Sequence, residues 1–193
     1  MYSFFKRFLD IVLAIILLMI LAPLFGLIAV LIRKKVFYYH LRVGKNNKFF
    51  KVIKFRTMIF DDRPIEEIFT PSQLKEFKIF HKVKNDPRIT KIGRFLRKTS
   101  LDEIPQLINI LKGEMSFVGP RPITLEELNK IKEKNKYLSV IPGLTGYWAI
   151  NGRSKITYKK RIELELYYVE NQSFWLDFKI FIKTIFIFFR NSE

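Results

Sequence analysis

At 193 residues and a net charge of +17 (35 Lys and Arg against 18 Asp and Glu), the chain has room for one domain plus an anchor. The absence of cysteine excludes a disulfide framework and a thiolate zinc site. Two histidines, His40 and His81, exclude a His-rich metal centre, so any divalent ion must be held by oxygen ligands, the preference of Mg2+. Positive charge of this size suits nucleic acid or an anionic membrane leaflet; 20 Phe and long apolar runs at both ends select anionic lipids over nucleic acid.

The first element runs from Ile11 to Ile32, 22 residues without a charge, enough for a membrane helix of roughly 20 residues. It exceeds the apolar core of a secretory signal, about 7–15 residues, and no clean cleavage site follows it. Lys6 and Arg7 precede the run and Arg33, Lys34, Lys35 and Arg42 follow it, so both flanks favour the cytoplasmic side. Pro23, near its middle, removes a backbone donor and clashes with the Met19 carbonyl, which permits a kink. A spanning helix and a re-entrant one both fit this composition.

Val36 to Met58 reads as a hairpin around the turn Gly44-Lys45-Asn46-Asn47, with Phe49 to Phe55 as its second arm. Asp61 to Val83 is charged, with a helix from Pro71-Ser72 through Gln73–His81, and Asn85-Asp86-Pro87 is a turn. Further helices are expected over Ile89–Lys98, over Ser100–Leu111 closed by Gly113, over Thr124–Lys136 and over Tyr158–Val169, with a loop over Pro142–Ser154. Phe174 to Phe189 is apolar, with Lys179 and Lys183 on one face, the pattern of an interfacial helix or of a helix packed on the domain. The fold class is therefore mostly α with a small β element (α/β), an anchor over 1–35 and a compact domain over 36–193.

Chemistry concentrates at Ser100-Leu101-Asp102-Glu103-Ile104-Pro105. Ser-x-x-Glu is a capping box, a purely structural reading. With the cap at Asp102 instead, Pro105 falls in the first turn, where its missing N–H is harmless. Either way Asp102 is expected at a helix N-terminus, where free amides and the dipole favour phosphate and an ionised carboxylate. Such a carboxylate can attack phosphorus, and Glu103 beside it can help hold Mg2+ or handle a proton. Around the pair lie Lys54 and Arg56, Arg88, Arg97, Arg121 between two prolines, and Arg153 after Asn151-Gly152. Guanidinium groups match phosphate oxygens in two places at once, which makes these the candidate phosphate-binding residues.

The strings Lys54-Phe55-Arg56-Thr57-Met58, Asn85-Asp86-Pro87-Arg88, Ile92-Gly93-Arg94-Phe95-Leu96-Arg97-Lys98-Thr99-Ser100-Leu101-Asp102-Glu103, Val118-Gly119-Pro120-Arg121-Pro122, Pro142-Gly143-Leu144-Thr145-Gly146 and Asn151-Gly152-Arg153-Ser154 resemble, in order, the bacterial sugar transferase family of monotopic phosphoglycosyl transferases. The resemblance covers nearly the whole chain. It implies a two-step reaction with Mg2+ at Asp102 and Glu103. In it, Asp102 takes a sugar phosphate from a UDP-sugar, UMP leaves, and undecaprenyl phosphate accepts the group at the cytoplasmic face of the bacterial inner membrane. It further implies a re-entrant helix broken at Pro23, a phosphate-binding role for Arg97, and a functional Pro-Arg-Pro loop at Arg121. Ala22, Tyr39 and His40 depart from the residues common in the family at those places. Neither the sugar, the pathway nor the oligomeric state is legible in the sequence.

Overall fold

The computed structural model describes residues 2–59, 61, 63–80, 83–153 and 156–190, with residues 78–80 and 188–190 described by their backbone alone. His81 and Ser154 lie outside the described residues. Helix α1 runs from Tyr2 to Ile32 and passes through Pro23 without interruption. The proline therefore does not divide the chain into two helices; one lost backbone bond is tolerated. The helix packs on the domain on either side of it. Ala14 is fully buried against Leu107, Ile110, Met115 and Phe117, and Ile28 against Phe55 and Leu96.

Strands β1 (Phe37–Val43) and β2 (Phe49–Phe55) form the antiparallel hairpin, pairing Tyr38 with Lys54 and His40 with Val52. The turn is a 3-10 segment, Lys45–Asn47, in which Asn46 and Asn47 take φ of 55 and 60, conformations asparagine tolerates better than most residues. The other edge of β2 has no strand beside it. Buried Asn109 serves that edge: its Oδ1 accepts from Ile53 N at 3.0 Å and its Nδ2 donates to Lys51 O at 2.8 Å. A side-chain amide thus satisfies backbone groups that burial would otherwise orphan.

Short helices α2 (Ile65–Ile68) and α3 (Pro71–Phe80) precede α4 (Lys91–Lys98), which Thr90 caps by accepting from Gly93 N at 2.9 Å. The helix expected over Ser100–Leu111 is two pieces. Ser100 adopts φ 53, a 3-10 turn covers Leu101–Glu103, and α5 begins only at Gln106 and ends at Lys112, closed by Gly113 at φ 81. Neither Ser100 nor Pro105 makes a side-chain cap, so the capping-box reading fails and Asp102 is not at an α-helix N-terminus. A left-handed Ser100 and Pro105 one residue before Gln106 together prevent a continuous helix.

Strand β3 (Ser116–Val118) pairs in parallel with β4 (Gly143–Thr145), so the segment expected as loop from Pro142 contains a strand, followed by α8 (Tyr147–Ile150). The helix expected over Thr124–Lys136 is divided into α6 (Leu125–Asn129) and α7 (Lys134–Tyr137). The true capping box is here: Thr124 and Glu127 satisfy each other's backbone amides. Helices α9 (Tyr158–Glu170) and α10 (Phe174–Arg190) close the chain. Helix α10 packs on the domain by one face and leaves apolar side chains outward on another. Ile180 is fully buried in the main core, while Trp175 and Phe186 are 74% and 70% exposed. Helix α1 is likewise two-faced, exposing Phe4, Met19, Ile20 and Val30 away from the domain. Its mean hydropathy of 3.1 over the most apolar window qualifies it as long and apolar enough to cross a membrane.

Candidate active site

The hairpin register puts Tyr38, His40 and Arg42 on one face of β1, beside Val52 and Lys54 of β2, because alternate strand residues share a face. That face walls a cavity of about 780 Å3. The cavity is also lined by Arg97 from α4, Asp102 and Glu103 from the 3-10 turn, and Arg121, Pro122, Leu144 and Trp148. Arg56, Thr57, Asp86 and Arg88 complete the basic side. Seven of the eight residues nominated from sequence as catalytic or phosphate-binding therefore share one cavity: Asp102, Glu103, Lys54, Arg56, Arg88, Arg97 and Arg121. Arg153 does not: it is exposed, at φ 51, and lies outside the lining.

The cations differ in how far they are committed. Lys54 Nζ donates to Glu103 Oε1 at 2.5 Å. Arg88 grips Asp86 with both arms, Nε to Oδ1 at 3.0 Å and Nη2 to Oδ2 at 2.7 Å, and its guanidinium lies 4.7 Å from the Phe69 ring. Arg56 donates to the carbonyls of Lys35 at 2.8 Å and Phe37 at 3.2 Å, which ties the exit of α1 to the hairpin. It is thus as much a structural clasp as a phosphate ligand. Among the described residues Arg97 is held by one hydrogen bond, from its Nε to Thr57 Oγ1 at 2.8 Å, which directs the two ends of its fork.

Local sequence explains the Arg97 placement. Gly93 lets α4 lie directly on the strand end: a Cβ there would sit 2.0 Å from Thr57 O. Thr57 O in turn accepts from Thr90 N at 3.1 Å. The Arg121 turn is built the same way. A Cβ on Gly143 would meet Gly119 N at 2.1 Å, so only glycines allow β3 and β4 to approach closely enough to aim the Pro120-Arg121-Pro122 turn at the cavity. The Arg121 guanidinium lies 5.4 Å from the Trp148 ring.

Electrostatics single out Asp102. Burial pushes its carboxyl above the usual aspartate range, while Lys54 and then Arg97 pull the other way and Glu103 adds to the upward push. A carboxylate made more basic by burial is a better nucleophile provided nearby cations still keep it ionised. His40 goes down instead: burial disfavours its cation, as do Arg42 and Lys54. Oxygen ligands for a divalent ion are limited. Among the described residues no group of three or more His, Cys, Asp or Glu could hold a metal. Asp102 and Glu103 offer a carboxylate pair, which fits an ion that keeps several waters and completes its shell with substrate phosphates, as Mg2+ does. Thr57, Arg42 and Trp148 also line the cavity; strand alternation around His40 is the sequence signal for Arg42, and an aromatic in a Gly-rich loop, able to stack a base or sugar, is the signal for Trp148.

The chain matches the bacterial sugar transferase family over residues 1–191. It is 44% identical over 188 residues to the exopolysaccharide production protein ExoY of Sinorhizobium fredii, covering 93% of this chain and 83% of that protein. It is 41% identical to the undecaprenyl-phosphate galactose phosphotransferase of Salmonella typhimurium (98% of this chain, 41% of that protein). Against the UDP-galactose-lipid carrier transferase of Erwinia amylovora it is 40% identical (94% and 40%). The chain thus spans about two-fifths of the length of the latter two. A family match along the whole chain, joined to a relative matched over most of both lengths, places this protein in the bacterial sugar transferase family.

Proposed function

We propose that this chain is a polyprenol-phosphate sugar-phosphate transferase, moving a sugar 1-phosphate from a UDP-sugar to undecaprenyl phosphate through an adduct on Asp102. The observation that carries the reading is the seating of Asp102 and Glu103 in a cavity that also holds Lys54, Arg88, Arg97 and Arg121, within a domain packed on an apolar helix. An Asp102 oxygen attacks the β-phosphorus of the donor. The bond from that phosphorus to the bridging oxygen breaks, and UMP departs with the electron pair. A phosphate oxygen of the polyprenol phosphate then attacks the same phosphorus and frees the Asp102 carboxylate. Neither step requires a proton from the protein. The cations oppose charge building on the transferring group, the dominant contribution in phosphoryl transfer. Arg97 of α4, Arg121 of the Pro-Arg-Pro turn and Lys54 of the hairpin line the same cavity, so the group can be held by cations from three separate elements. Mg2+ at Asp102 and Glu103 would supply further charge neutralisation on the donor's diphosphate.

The membrane disposition belongs to the same proposal. Helix α1, about 46 Å long at 1.5 Å per residue, rests on one globular body at both ends: Arg7 Nη2 donates to Leu111 O at 2.7 Å, and Ile28 packs on Phe55 and Leu96. Contacts from both ends of the helix to one body support a disposition in which both ends stay on the same side of the bilayer. We therefore place both ends, and the cavity, on the cytoplasmic face of the inner membrane, with α1 re-entrant and the exposed face of α10 in the interface. The relatives named for galactose and for a UDP-galactose donor make that sugar nucleotide the first to try. The decisive experiment measures UMP release from UDP-galactose and other UDP-sugars, with undecaprenyl phosphate and Mg2+ present. It also takes the intact mass of protein incubated with donor alone. A sugar-phosphate adduct in the wild type and none in Asp102→Asn is expected; an Asp102→Asn variant that still releases UMP overturns the assignment.

A further inference from the structure

Arg121 is held in an unusual way. Its neighbours Pro120 and Pro122 have no N–H, so the Arg121 amide is the sole backbone donor of the three-residue turn. That donor goes to Glu165 Oε2 at 2.9 Å, from a side chain of α9 that is 1% exposed. The carbonyl of the same residue accepts from Tyr137 Oη of α7 at 2.8 Å, and Tyr137 is also buried. Both ends of one residue's backbone are thus gripped by buried side chains from two helices. The side chain of Arg121 has no such grip: its Nε is buried and makes no hydrogen bond among the described residues, and Trp148 merely underlies the guanidinium. Where the guanidinium points is therefore set by the backbone, and the backbone is set by Glu165 and Tyr137.

We propose that Glu165 is a positioning residue for the phosphate site, fixing through the Arg121 amide where the Arg121 guanidinium meets the substrate phosphates, with Tyr137 as its counterpart at the carbonyl. Glu165 lies outside the cavity lining and touches no substrate; it acts only through Arg121. A carboxylic acid and a carboxamide both offer the oxygen the amide needs, so Glu165→Gln preserves the grip, whereas Glu165→Leu keeps the volume and removes it. Burial pushes the Glu165 carboxyl up to about 8, so at neutral pH glutamine is a close match in charge as well as in shape.

This inference rests on the reading of the cavity as a phosphate site, so its test uses a probe that needs no turnover and no choice of sugar. Pyrophosphate stands in for the donor's diphosphate, and its dissociation constant is measured by calorimetry on the full chain in detergent. The variants are Glu165→Leu, Glu165→Gln and Arg121→Ala, with the Glu165→Leu/Arg121→Ala double variant closing a cycle. Glu165→Leu is expected to weaken binding about tenfold or more, Glu165→Gln to stay within about threefold of wild type, and the double variant to bind no worse than Arg121→Ala alone. Equal loss from Glu165→Leu in both backgrounds, or no rescue by glutamine, overturns the proposal by showing a general packing role. Wild type that fails to bind pyrophosphate overturns it as well. Should Glu165→Leu not fold, Tyr137→Phe takes its place in the cycle, with the same dependence on Arg121 expected and the same independence fatal. UMP release, measured separately, reports on the transferase reading alone: its absence with the pyrophosphate cycle intact would sink that reading and spare this one.

Discussion

Lys54 is the side chain on which the charge state of Asp102 turns. It is the largest influence holding the Asp102 carboxyl down against burial, and it is hydrogen-bonded to Glu103 as well. Lys54→Met removes a positive charge from beside Asp102, so its folded pKa rises further and the pH below which activity is lost must move upward. A pH profile of UMP release should show the acid limb displaced to higher pH, with the plateau lowered about tenfold or more; an unmoved limb would separate Lys54 from Asp102. Glu165 makes a second titration prediction, now of stability. Its carboxyl ionises near 4.5 in the unfolded chain and near 8 in the folded one, since burial disfavours the charged form. Its contribution is complete below 4.5 and is lost as pH rises towards 8. Glu165→Gln, which cannot ionise, should gain in Tm relative to wild type between pH 5 and pH 8, with a constant offset as the contrary result. Such a residue is invisible in sequence, where a lone glutamate in a Lys- and Glu-rich helix reads as a solvated surface charge.

At the scale of elements, Gly93 and Thr57 carry the contact between α4 and β2. Gly93→Ala would drive a methyl group into the Thr57 carbonyl at 2.0 Å, which should cost about 1–3 kcal/mol and displace Arg97 with the helix. Thr57→Val is the gentler probe. It keeps the shape and removes the acceptor of Arg97 Nε, so kcat/KM should fall about tenfold while Tm barely changes; equal losses in both would make Thr57 a packing residue. Elements with strong local signals were legible in the sequence: the hairpin from its turn asparagines, α4 from its basic apolar spacing, and α9 and α10 from theirs. The failures have local causes too. Ser-x-x-Glu at Ser100 matched a capping box that the left-handed conformation of Ser100 forbids, while the genuine box at Thr124 went unread inside one long expected helix. The pairing of β3 with β4 depends on backbone approach at Gly119 and Gly143, a property of two distant segments that no window of sequence contains. Arg153 shares a Gly-rich context with cavity-lining residues, and context without geometry cannot tell which arginines line the cavity.

At the scale of the whole molecule, the proposed transfer and the proposed membrane disposition make one statement about depth: transfer to a lipid phosphate requires the cavity to open at the level of lipid phosphates. The chain lacks cysteine, which makes its topology directly measurable. Single cysteines at Ser3 and Lys34, both exposed positions at opposite ends of α1, should react with an impermeant maleimide in inverted inner-membrane vesicles and be protected in intact spheroplasts. Opposite reactivity of the two would mean a spanning helix and would detach the domain's packing on α1 from the membrane disposition. Most of the site, seven of eight nominated residues, followed from reading basic and acidic groups near glycine and proline. The buried supports behind it did not.

One contact joins the two ends of the fold. Lys6 at the beginning of α1 pairs with Asp177 of α10, which also accepts from Tyr168 Oη at 2.7 Å. Truncation anywhere upstream of Asp177 therefore removes the acceptor that Lys6 and Tyr168 share and leaves the start of α1 without its ion pair to α10.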